Sequence, residues 1–184
     1  RIWHTSKDGG ESEALLRVVH GVIFSHPGPA LTIVQVERLP GGVEVAVELE
    51  AIAGSADDST KYESDYESSS SMAVQVEGEL WTSGLRGDPG ADRDTQVGQA
   101  LENATGLMKR AGIGASDIVS TRHFMRHDVQ FESDPPDWNA FKAPSTPTSA
   151  GIAVSGVGGD GQVVAIELEA VAGAADGRTN LRTG

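Results

Sequence analysis

The chain has no cysteine among its 184 residues, and that absence removes disulfides, thiolate metal sites, iron–sulfur clusters and a cysteine nucleophile from the possible chemistry. Basic residues are scarce too: 14 Lys and Arg stand against 27 Asp and Glu, for a formal charge of −13. A surface that tracks phosphates needs Lys or Arg at each contact, so neither nucleic acid nor an anionic membrane is expected as a partner. No apolar run approaches the ~20 residues that span a bilayer. What is present is length for one domain and a fraction, at roughly 150 residues per domain. Composition therefore predicts an acidic, mixed α/β protein compatible with a reducing cytoplasm. The first residue is Arg1 rather than Met, so the sequence reads as a piece of a longer product.

An internal repeat organises the rest. Ala46-Val47-Glu48-Leu49-Glu50-Ala51-Ile52-Ala53-Gly54-Ser55-Ala56 returns as Ala165-Ile166-Glu167-Leu168-Glu169-Ala170-Val171-Ala172-Gly173-Ala174-Ala175, identical at eight of eleven positions. Before each copy comes a glycine turn, and before that a β-rich run, Leu31 to Val36 and Gly151 to Val157, which predicts two hairpins. Ahead of the first, Glu11 to Phe24 carries Ala14, Leu15, Val18, Val19, Val22 and Ile23 at helical spacing and stops at Ser25-His26-Pro27-Gly28-Pro29. Residues 57–71, rich in Ser and acids, predict a solvated linker. The second unit opens on a hairpin, Met72 to Val76 and Glu79 to Gly84. A helix over Thr95 to Ala111 follows, with Val97, Ala100, Leu101, Ala104, Leu107 and Met108 on one face and Gly112 as C-cap. A strand over Ile118 to Met125, a short helix around Asp137 to Phe141 and the closing hairpin complete it. The order β-β-α-β-(α)-β-β predicts an α+β two-layer sandwich, with helices on one face of a mixed sheet.

Four stretches of residues 72 to 173 carry a family resemblance. They are Thr82-Ser83-Gly84, Gln99-Ala100-Leu101-Glu102-Asn103, Ala111-Gly112 with Ser116-Asp117-Ile118-Val119, and Ala165 to Ala172. With them the sequence resembles the RidA or YjgF-type reactive-intermediate deaminases, also called endoribonuclease L-PSP-like proteins. Residues 1–56 resemble the back half of a second copy, 72–175 a complete domain, and 176–184 a tail. The resemblance implies a chorismate-mutase-like fold, with three domains packed sheet to sheet in a trimeric or pseudo-trimeric barrel that has clefts between neighbours. It implies hydrolysis of small enamines or imines with release of ammonia, no cofactor, no metal, and a homotrimer or pseudo-hexameric assembly as partner. Carried over by motif, the family's last-strand Glu falls on Glu167 and, in the half copy, on Glu48, and its Ser-Gly turn falls on Ser83 and Gly84. The family's Pro-Ala-Arg, whose Arg clamps the substrate carboxylate, reads Pro147-Thr148-Ser149 in one copy and Pro29-Ala30-Leu31 in the other. Its Tyr position reads Ser70. Ser149, at the clamp position, stays a substrate-binding candidate through its single neutral hydroxyl, but neither it nor Leu31 can supply a bidentate guanidinium, so the expected clamp must come from elsewhere.

Arg86, two residues beyond Gly84, and Arg122 and Arg126 on the strand from Ile118 are the candidates; a solvated Arg is the plain alternative for each. Glu167 and Glu169 alternate with Ile166 and Leu168, so they share one face, as either cleft carboxylates or a half-solvated strand surface. His123 is a candidate cleft-wall catalyst, with packing as its alternative. His123 and His127 stand roughly 13 Å apart on a strand, too far for one metal. Trp81 and Trp138 are expected in the core, Trp81 against the long helix. The leading expectation is a divergent RidA-like enzyme acting on a small enamine, imine or carbonyl metabolite. The alternatives are a chorismatase-like biosynthetic enzyme on the same fold, and a catalytically silent binding or assembly module.

Overall fold

In the computed structural model the described residues are 1–7, 9–24, 28–51, 58–63, 71–129, 136–142 and 145–177. The breaker at Ser25 to Pro27, most of the predicted linker and the residues from 178 onward lie outside them. The elements in order are β1 (Ile2–His4), α1 (Gly9–Ile23), β2 (Ile33–Gln35), β3 (Val45–Val47), β4 (Thr60–Glu63), β5 (Ser71–Val76), β6 (Glu79–Thr82), α2 (Arg93–Arg110), β7 (Ile118–Arg126), α3 (Pro136–Lys142), β8 (Thr148–Val154), β9 (Val164–Val171) and α4 (Ala174–Gly177). Strands form a six-stranded sheet, β4-β5-β6-β9-β7-β8, and a three-stranded one, β2-β1-β3.

The predicted α+β sandwich is present, and α2 follows its sequence signals closely. Asp92 caps its start by accepting from the Thr95 amide at 2.9 Å. Gly112, at φ 69°, ends it, with Ile113 N–H donating to the Met108 carbonyl and Gly112 N–H to that of Lys109. Its apolar stripe covers one face of β9: Val97, Ala100 and Leu101 pack with Val164, Ile166 and Trp138, while Ala104, Leu107 and Met108 pack with Leu80, Ile118, Leu168 and Ala170.

Three expectations need correction. The two closing runs are not hairpins. β8 runs parallel to β7, and β9 pairs antiparallel with β7 and β6, so the connection from β8 to β9 passes over β7. A strand whose other residues already satisfy both neighbours displaces a local pairing, and periodicity along the chain cannot reveal it. Second, β4 lies inside the predicted linker. Tyr62 buries its ring against the α2 layer and donates to the Gln75 side chain at 2.6 Å, which holds this polar strand at the sheet edge. Third, Trp81 lies opposite Val74 and Glu169, on the sheet face away from α2, because Leu80 and Thr82 take the inward positions. Trp138 is in the core as expected.

The small sheet repeats the end of the large one. β1 is parallel to β2 and antiparallel to β3, as β7 is to β8 and β9. Ile2 lies opposite Val47 and His123 opposite Ile166, so β1 is the counterpart of β7, and Arg1, Trp3 and Glu48 are the counterparts of Arg122, Phe124 and Glu167. The half copy is thus larger than a helix plus hairpin, having a strand of its own at its start. The two copies meet across an apolar seam of Val34, Phe124, Val154, Val157 and Ala165, with Trp3 edge-on to Phe124 at 5.7 Å between centroids. A bridge between Gln35 and Gly156 ties their backbones.

Candidate functional site

Alternation along β9 turns Ile166 and Leu168 toward α2 and leaves Ala165, Glu167 and Glu169 on the seam face. Alternation along β7 does the same for Arg122 and Phe124. Arg122 lies directly opposite Glu167 in the ladder, and its guanidinium approaches that carboxylate at 3.8 Å. The other copy reproduces the pair. Arg1 lies beside Glu48, and the Arg1 backbone donates to the Glu48 carbonyl at 2.7 Å while its guanidinium contacts the Glu48 carboxylate.

The two pairs interlock. Arg1 reaches across the seam, its Nε donating to the Glu167 oxygens at 3.0 and 3.1 Å and its Nη2 to Oε2 at 2.5 Å. Glu167 is buried, with 7% of its surface exposed, and such a carboxylate requires a paired cation. Burial pulls the Arg1 guanidinium down, but hydrogen bonds to Glu167 and then Glu48 outweigh it and hold the group well above its ordinary value. The Arg1 bond likewise holds Glu48 below the usual carboxylate range. Arg122 differs from Arg1 in access, with 43% of its side chain exposed against 11%. Glu169 is half-buried on the same face, and burial, then the charges of Glu50 and Glu79, push it up despite Arg122. The repeat that doubles Glu167 therefore also doubles Glu169 with Glu50.

The Ser83-Gly84 turn borders this seam. Gly84 N–H donates to the Thr32 hydroxyl of the other copy at 2.7 Å, and a Cβ there would meet Thr32 at 2.8 Å and Ala165 at 3.2 Å, so only glycine permits the approach. The remaining sequence candidates lie elsewhere. Arg86 pairs with Glu13 on α1 at 3.3 Å and also donates to the Val157 carbonyl. That Glu13 carboxyl, raised by burial but lowered more by Arg17 and Arg86, lies net below its ordinary value. His123 points to the α2 side of β7, edge-on to Trp138 at 5.0 Å, on the opposite face from Glu167. Ser149 is exposed, accepts from Thr121 at 3.1 Å, and lines a surface cavity of about 260 Å³ with Asn139, Lys142, Thr146 and Pro147. Arg126 pairs with Asp128. The fold thus places Glu167, Glu48, Arg122 and the Ser83-Gly84 turn along the seam, turns His123 to the opposite face and sets Ser149 on a separate surface, while Arg86 pairs with Glu13.

Arg1 is the residue that sequence reasoning missed. Its signal was the match of Arg1-Ile2-Trp3-His4 to Arg122-His123-Phe124-Met125, in which only the Arg is identical. Among the described residues no group of three or more His, Asp or Glu is placed to hold a metal ion, and no helix is long and apolar enough to cross a membrane.

No family model matches the sequence, and no curated protein does. Solved structures do resemble it. An endoribonuclease L-PSP-like protein from Entamoeba histolytica superposes with a TM-score of 0.50 at 20% identity, over 55% of this chain and 86% of that one. Rv2704 of Mycobacterium tuberculosis, of the YjgF/YER057c/UK114 family, gives 0.48 at 22% identity over 61% and 98%. The Rid-family protein YyfA of Yersinia pestis gives 0.48 at 26% over 55% and 86%. At this identity the first likeness establishes the fold, which is the L-PSP type that the four sequence stretches implied.

Proposed function

We propose that this chain is a divergent RidA-like protein whose seam between tandem copies binds a small enamine or imine that carries a carboxylate. Arg122 acts as the anion clamp, and Glu167 is the carboxylate that positions water, with Glu48 as its counterpart in the half copy. The observation that carries this reading is the repeated cross-strand pair. Arg122 stands 3.8 Å from Glu167 on a half-exposed side chain, so it can turn a guanidinium toward a bound anion without leaving the seam. The missing Arg of the Pro-Ala-Arg position is thereby replaced from the neighbouring strand. Gly84 brings the Ser83-Gly84 backbone to the same seam.

In the proposed reaction water adds to the imine carbon and gives a proton to the carboxylate. The carboxyl passes that proton to the nitrogen to give a carbinolamine, and the hydroxyl proton then moves to the nitrogen as the C–N bond breaks, leaving a carbonyl and free ammonia. The three-walled barrel expected of such domains makes a homotrimer or pseudo-hexamer part of the same reading. Ammonia release from imino acids generated in situ tests it, with chorismate-like compounds as a second panel. Arg122→Ala is expected to raise KM by about tenfold or more through loss of the charged contact. Glu167→Gln is expected to lower kcat by about 10² or more. An imino-acid panel hydrolysed no faster than in buffer overturns the reading.

One observation favours a second reading, the silent assembly module. Both Glu167 oxygens already accept from Arg1, as in a structural ion pair. Under that reading Glu167→Gln lowers the melting temperature, and no substrate in either panel is turned over.

A further inference from the structure

The half copy leaves uncovered the face that the full copy buries. Val45, Val47 and Leu49 stand on the outer side of β3 at 46, 58 and 74% exposure. Their counterparts Val164, Ile166 and Leu168 are exposed by 2, 1 and 3%, because α2 lies over them and β6 pairs along the far edge of β9. The two surfaces are almost the same. Val45, Leu49 and Ala51 match Val164, Leu168 and Ala170 identically, and Val47 matches Ile166. α1 adds to the exposed surface where α3, its counterpart, packs on α2 through Trp138 and Phe141. Leu15, Val18 and Val22 are 63, 63 and 82% exposed. Between α1 and β3 lies an open groove of about 250 Å³, with Leu15, Leu16 and Val45 in its wall. Among the described residues β3 is also an edge strand, paired on one side only.

We propose that this face is the docking site for a strand–strand–helix unit with the chemistry of residues 71–112, which adds an antiparallel strand to the free edge of β3 and lays an apolar helix stripe between β3 and α1. The near-identity of the β3 and β9 faces identifies the occupant. A surface that α2 fits in one copy presents the same side chains in the other, and apolar faces of this extent stay uncovered in few soluble proteins. A second copy of the chain is the weaker occupant, since each copy carries a charge of −13 and its own 71–112 unit is already in use. This inference does not depend on the chemistry of the seam.

The test places residues 71–121 directly ahead of Arg1, so that Arg1 follows them as Arg122 does in the full copy. The fused chain is expected to melt higher than the unfused chain and to slow amide exchange over residues 45–51 by about tenfold or more. Val47→Glu, at an exposed position, is expected to leave the melting temperature of the unfused chain unmoved and to abolish both gains in the fusion. A fusion with unchanged exchange at 45–51 overturns the proposal. So does an unfused chain that dimerises with those same residues protected, which assigns the face to a second copy.

Discussion

At the level of single side chains, the carboxylates in and around the seam do not respond to pH alike. Glu13 and Glu48 have folded-state pKa values below the ordinary 4.5, so what they contribute is present above that value and is lost as the pH falls through their lowered ones. Glu169 is the reverse. Burial and the neighbouring Glu50 and Glu79 raise it, so its contribution is complete below pH 4.5 and is lost as the pH rises through the raised value. Glu169→Gln is therefore expected to melt higher than the parent chain at pH 7, with the gap narrowing as the pH falls through the raised value and closed below about 4.5. Thermal melts of the two proteins from pH 4 to 8 check this, and a constant gap across the range contradicts the assignment. The sequence showed that Glu167 and Glu169 share a face. It could not show that one is neutralised by a guanidinium and the other is not, because the partner, Arg1, is 166 residues away.

Among the elements, α2 was the most legible, since a cap, a stripe and a terminating glycine all agree. Asp92→Ala removes the acceptor for the Thr95 amide and is expected to cost about 1 kcal/mol in urea unfolding, with the fold intact. The strands were legible as strands but not as partners. Each β-rich run was read in nearly the right place and the β5–β6 hairpin is present, but the two closing hairpins were wrong, because β1 and β7 insert between their runs. β1 has three residues, too short for a period to be seen, and β4 hides in a polar stretch where only Tyr62 buries deeply. Register carries the functional information here: it is what sets Arg122 opposite Glu167 and Arg1 opposite Glu48.

Across the described residues, the two copies are joined by an apolar seam and by the ion pairs Arg1–Glu167 and Arg86–Glu13. Arg1→Ala leaves the Glu167 carboxylate buried and without its main partner, and that class of change costs about 3–5 kcal/mol. Urea unfolding measures the loss, and Arg1→Ala with Glu167→Gln together is expected to recover part of it, since the uncompensated charge is gone. A double variant no more stable than Arg1→Ala would show that the pair contributes through packing rather than charge.

By itself the sequence determined the repeat, the α+β class and the face on which Glu167 lies, because each of these is written in local spacing or in similarity along the chain. The tertiary structure alone decided which guanidinium meets that carboxylate, that His123, Arg86 and Ser149 lie away from it, and which apolar face of the half copy stays open. Those depend on strand order and on contacts between residues far apart in the chain, and a side chain's neighbours across a sheet are fixed by pairing rather than by its own sequence surroundings.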